Sequence, residues 1–120
     1  MRRTYVHEAV LVIQQDADLQ APGAAITVAL CGHWEHPPPC PLAAHHTRAE
    51  RVGNRVLLRT LFATEPATEH VVRDRIDLAL SAGEMRGPDG TVNRWRLHSS
   101  RRGDVTAAEA AHAERLTGGT

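Results

Sequence analysis

Residues 6–14 place apolar side chains in both alternating sets, Val10 and Val12 in one and Ala9, Leu11 and Ile13 in the other. This predicts a first strand covered on both faces. It gives way to the polar stretch Gln15-Asp16-Ala17-Asp18 and then to Pro22-Gly23, a turn signal. Residues 24–33 alternate again, with bulky Ile26, Val28 and Leu30 opposed to Ala25, Thr27, Ala29, Cys31 and His33. A second strand is expected there, its far end opening onto a site. The run Pro37-Pro38-Pro39-Cys40-Pro41 cannot sustain a ladder, so 34–51 is expected to be a long loop. From 55 to 64 a third strand is predicted, with Val56, Leu58 and Phe62 on one face, and it should neighbour the second because sequential strands usually pair.

The period then changes. Thr64-Glu65-Pro66 reads as a helix start, Val72, Ile76, Ala79 and Leu80 recur at helical spacing, and Gly83 is a candidate C-terminal cap. Gly87-Pro88-Asp89-Gly90 predicts a turn before a fourth strand over 91–99, with Val92, Trp95 and Leu97 inward and Arg94 and Arg96 towards water. Thr106 and Glu109 have capping-box spacing and open a short Ala-rich helix to Leu116, so that 104–120 forms a short helix and a frayed tail. Residues 1–120 are therefore expected to form one α+β domain of order β-β-β-α-β-α, with about four antiparallel strands and one main helix on one face. A single helix would leave Leu11, Ile13, Leu57 and Leu61 uncovered, which predicts a homodimer.

Composition narrows the chemistry. The basic residues number 14, all Arg, and balance 14 acidic ones, so no net field draws the chain to nucleic acid or anionic lipid. Without Lys, Schiff-base chemistry and a phosphate-loop lysine are excluded. Tyr5, Trp34, Phe62 and Trp95 are too few aromatics for a base-stacking platform. The Arg94 to His98 stretch with Arg101 and Arg102 reads as an alternating half-buried strand, and nucleic acid is not an expected partner. No apolar run reaches membrane-span length and no signal-peptide pattern opens the chain, which predicts a soluble cytoplasmic protein; the all-Arg, Ala-rich usage suggests a GC-rich bacterial genome.

Histidine, at eight, is abundant, and half of these residues lie near both cysteines. Cys31, His33, His36, Cys40, His45 and His46 form a C-x-H-x2-H-x3-C-x4-H-H cluster, with Glu35 inside it. Thiolate and neutral imidazole are donors that Zn(II) prefers, and a reducing compartment favours metal over a disulfide. Adjacent residues of an extended segment point opposite ways, so one of His45 and His46 is expected to ligate. His7 and His98, near strand ends, are candidates to join or orient the ligands, whereas His70 and His112 are expected on the surface. His33-x-Glu35 followed by Pro39-Cys40 is not the H-x-E…P-C-x-x-C pattern of zinc deaminases, because Ala43 stands where the second cysteine would be. The expected function is a zinc-binding protein whose metal pins the loop to the sheet in a structural or interaction role. Alternatives are a metalloenzyme using metal-bound water, with Glu35 or a histidine moving protons, and a copper, nickel or zinc carrier or sensor.

Overall fold

The computed structural model describes residues 1–14, 16–31, 43–87 and 89–117, with the backbone alone at Cys31. Its elements are β1 (Arg3–Ile13), α1 (Ala21–Cys31), β2 (Ala44–Val52), β3 (Arg55–Thr64), α2 (Glu69–Ala82), β4 (Glu84–Arg86), β5 (Val92–Gly103) and α3 (Ala110–Leu116). The strands form one sheet in the order β2-β3-β1-β5-β4. β1 pairs antiparallel with β3 and β5, and β2 pairs antiparallel with β3, so β1 and β2 run the same way with β3 between them. This is the split β-α-β arrangement of ferredoxin-like folds, extended by the short edge strand β4.

The α+β class and the antiparallel sheet agree with the sequence. Two elements do not. Residues 24–31 belong to helix α1 rather than to a strand, so these residues do not make the expected pairing with β3, and the remaining two residues of that expected strand lie outside the described residues. Ile26 and Leu30 fit a period of two, but they also lie four apart, in line with Pro22, and all three side chains are fully or almost fully buried. Chain direction decides between the periods, because two strands running the same way need a crossover, and a helix supplies it. Asp18 Oδ1 accepts the Gln20 amide at 2.9 Å just ahead of the helix, and Pro22 sits in its first turn. The second correction concerns the expected loop 34–51, whose second half is β2. Gly53 and Asn54 link β2 to β3 in a two-residue turn, and Gly53 takes the φ of +63° that the first position of such a turn demands.

The sheet is therefore five-stranded, and α1 and α2 cover one face together. β1 contributes Ala9, Leu11 and Ile13 to that face, β3 contributes Val56, Leu58 and Phe62, and α2 contributes Val72, Ile76 and Leu80. Trp95 joins them, its indole Nε1 donating to the Leu80 carbonyl at 2.9 Å. α2 begins after a single 3-10 turn over Pro66–Thr68 and ends at Gly83, whose φ is +73°. The face expected to be uncovered is largely buried. Leu11 and Ile13 lie under the helices and Leu61 is 3% exposed, which leaves Leu57 at 43%. No helix among the described residues is long and apolar enough to cross a membrane.

Candidate binding cleft on the open sheet face

Strand register assigns the second face. Val6, Glu8 and Val10 of β1 lie opposite Leu61, Arg59 and Leu57 of β3, which in turn lie opposite His46, Arg48 and Glu50 of β2. On the other side, Glu8 and Val10 face Arg101 and Ser99 of β5. A charged pair, Glu8 and Arg59, thus stands between the apolar pairs Val6–Leu61 and Val10–Leu57 on this face.

Arg59 is the hub. Its Nη1 donates to Glu8 Oε2 at 2.8 Å, its Nε to Glu109 Oε2 at 2.7 Å, and its Nη2 to Glu109 Oε1 at 2.8 Å. The same Nη2 also donates to the Asp104 carbonyl. The planar fork of guanidinium matches the two Glu109 oxygens, which makes this the bidentate form of the interaction. Glu109 Oε1 further accepts from the Thr106 amide at 2.9 Å and its hydroxyl at 3.0 Å, the capping box legible in the sequence. Hydrogen bonds from Arg59, opposed by burial and aided by those from Thr106, hold the Glu109 carboxyl at about 2, well below its ordinary value. Arg59 is raised above its ordinary value, first through its hydrogen bond to Glu109. Glu8 serves a second guanidinium, with Arg101 Nε donating to its Oε1 at 3.1 Å. A Cβ at Gly103 would stand 3.0 Å from the Glu8 carboxylate and from Val6 Cγ1, so a larger residue there would press on both side chains and shift them by a few tenths of an ångström.

The network attaches α3 across one end of the face. Thr4 Oγ1 donates to the Ala113 carbonyl at 2.9 Å, and the His46 and His112 rings lie with centroids 4.5 Å apart at 49°. Burial, His112 and then Arg48 lower the pKa of His46. With α3 covering one end, the rest of the face is an open cleft of about 520 Å³. Val10 and Leu57 form its apolar floor, Ser99 and Arg101 one wall, and Arg48 and Glu50 the other, and Thr106 closes the α3 end. This is an apolar surface framed by a few placed polar groups, the usual make-up of a small-molecule site.

The sequence-predicted metal residues are distributed differently. His33, Glu35, His36 and Cys40 lie outside the described residues, and Cys31 ends α1. His45 and His46 are on opposite faces of β2, as adjacent residues of an extended segment must be. His45 points to the helix layer, its Nε2 3.0 Å from Thr27 Oγ1 and its Nδ1 3.2 Å from the Ala43 carbonyl. Among the described residues, no group of three or more His, Cys, Asp or Glu is arranged to hold a metal ion. His7 is buried on the helix face, with Nε2 2.8 Å from Asp77 Oδ1, while Arg73 Nη1 donates to its Nδ1 at 3.0 Å. An acceptor role at Nδ1 makes Nε2 the protonated nitrogen, so α2 occupies both ring atoms. His98 is exposed at the irregularity between β1 and β5, and His70 is exposed on α2. His112 is not a plain surface residue, because it meets His46.

Sequence reasoning missed Arg59 and Glu8. The available signal was a charge flanked two residues away on each side by apolar residues, Val6 and Val10 around Glu8 and Leu57 and Leu61 around Arg59, where an unpaired charge is costly and a partner is therefore implied. No protein-family model and no curated protein matches the chain.

Proposed function

We propose that the protein binds a small amphipathic molecule in the open-face cleft, with an apolar body on Val10 and Leu57 and an acceptor-bearing head group, a carboxylate first, on the Ser99–Arg101 wall. The observation that carries this reading is the cleft of about 520 Å³ with an apolar floor and hydrogen-bond donors on one side. Among the described residues Arg101 is held through its Nε, which donates to Glu8 and leaves the outer guanidinium nitrogens for a ligand, and the hydroxyl of Ser99 lies on the same face of β5. Carboxylates pair well with guanidinium in this way. The reading is binding rather than catalysis, because Glu109 at about 2 has no basicity to offer near neutral pH and both Glu8 and Glu109 are committed to Arg59. Titration of labelled protein with a medium-chain carboxylate, followed by amide chemical shifts, tests it. Saturable shifts centred on Val10, Leu57 and Ser99 are expected, with binding weakened about tenfold by Arg101→Ala. Shifts scattered over the surface without saturation refute it.

A second reading keeps the metal. One observation favours it: His45 of β2 lies against Thr27 of α1, so the backbone end of α1 at Cys31 is one helical turn from the residue that His45 touches. Zinc held by Cys31 and His45 with donors from His33, His36 and Cys40 would clip 32–42 to the α1–β2 junction. His46, on the other face of β2, would then be free of that ion. Copper or nickel would suit the same imidazole-rich set. Elemental analysis of untagged protein tests this reading. One equivalent of metal, lost in both Cys31→Ser and Cys40→Ser, supports it, and metal-free wild-type protein refutes it.

A further inference from the structure

β2 is an edge strand, paired with β3 on one side. Among the described residues, no backbone hydrogen bond joins its outer edge to anything else. Such an edge is a template for another extended chain, and charges along it usually discourage that pairing. The charges on β2 have a particular order. Arg48 and Glu50 project from the open face two residues apart, and neither has an ion-pair partner among the described residues.

We infer that β2 is a self-pairing edge, which joins a second copy of this chain antiparallel about a two-fold axis at Ala49. An axis perpendicular to the sheet keeps the open faces of both copies on one side, so only residues of the same face can stand opposite one another. With Ala49 opposite itself, Arg48 stands opposite Glu50 of the second copy and Glu50 opposite its Arg48. A slip of one pair in either direction puts Arg48 against Arg48 or Glu50 against Glu50. Like charges directly opposite are destabilising, so one register is selected and its neighbours are rejected. A run of one sign would have blunted the edge in every register; the alternating order spares this one. Val52, 54% exposed in the single chain, gains His46 of the second copy as its cross-strand neighbour.

The pairing places a homodimer at a sheet edge rather than on an apolar face. It also bears on the cleft without depending on what the cleft binds. Arg48 and Glu50 form the β2 wall of that cleft, so Glu50 and Arg48 of the second copy stand on its rim, and the two clefts lie side by side across the axis.

Sedimentation equilibrium of the full chain tests the inference, using wild type, Arg48→Glu, Glu50→Arg and the double exchange Arg48→Glu/Glu50→Arg. Both side chains are exposed, so each variant should fold, which circular dichroism verifies. The wild type is expected to dimerise. Each single exchange turns two attractive pairs into two repulsive ones and should weaken the dimer about tenfold. The double exchange recreates the pairs with signs reversed and should restore wild-type affinity. A wild-type protein that stays monomeric at high micromolar concentration overturns the inference. So do single variants that dimerise like wild type, or a double variant no tighter than the singles.

Discussion

The two faces of the sheet are held by different physics. On the helix face, Leu11, Val56, Phe62, Ile26, Val72, Ile76 and Leu80 are each at most 2% exposed and interlock without polar groups of their own. The buried polar side chains there, His7, Thr60 and Thr64, have partners in place: His7 between Asp77 and Arg73, Thr60 with its hydroxyl 3.3 Å from that of Thr47, and Thr64 with its hydroxyl 2.6 Å from that of Thr68. On the open face, α3 has seven residues and buries only Ala113 among them. What attaches it is directional: the Arg59–Glu109 fork, the Thr4 hydroxyl and the His46–His112 contact. Apolar burial scales with area and tolerates small shifts, whereas charge-assisted bonds depend on geometry and protonation. The first face therefore supplies stability. The second can leave room for a cleft because its cover is fastened at a few points.

The largest test of this contrast is Phe62→Ala. Emptying a fully buried site should cost ~3–5 kcal/mol in urea unfolding, and it should act on the whole domain, since Phe62 lies in the main core. Arg59→Met comes next. It strips the shared partner from Glu8 and Glu109, whose side chains are 27% and 14% exposed, and should cost ~2–4 kcal/mol. Amide exchange separates the two variants. Arg59→Met should raise exchange in Ala110–Leu116 well before the core strands, while Phe62→Ala should raise both together.

Acid should reproduce part of the Arg59 effect. The folded Glu109 carboxyl, at about 2, lies below its ordinary value of 4.5, so its contribution is fully present above 4.5 and is lost as pH falls through 4.5 towards 2. Because the pair meets solvent on one side, the loss should be only ~1–2 kcal/mol. It should be seen as loosening of α3 in that window, and Glu109→Gln, already weakened at neutral pH, should lack this part of the acid dependence. The smallest effect is expected at Leu57→Ala. Its side chain is 43% exposed, so stability should move by no more than ~0.5 kcal/mol, while carboxylate binding in the cleft weakens. Equal losses of stability at Leu57 and Phe62 would erase the distinction between the two faces.

Several features needed no tertiary structure to read. The two faces of β1, the buried set Val56, Leu58 and Phe62 of β3, α2 with its Gly83 end, the inward Trp95, and the Thr106–Glu109 box follow from periods and caps that act within a few residues. The opposite directions of His45 and His46 follow from strand pleating alone, once that segment is extended. Other features were decided only by the fold. β2 is half polar on both faces and has no apolar alternation, so nothing local marks it as a strand; the turn at Gly53 and pairing with β3 make it one. In α1, a pattern compatible with two periods became a helix because β1 and β2 run the same way. The cleft is the most non-local feature of all. Arg59 reaches Glu8 and Glu109 across separations of 51 and 50 residues, and such encounters depend on strand order and register, which no short window of sequence contains.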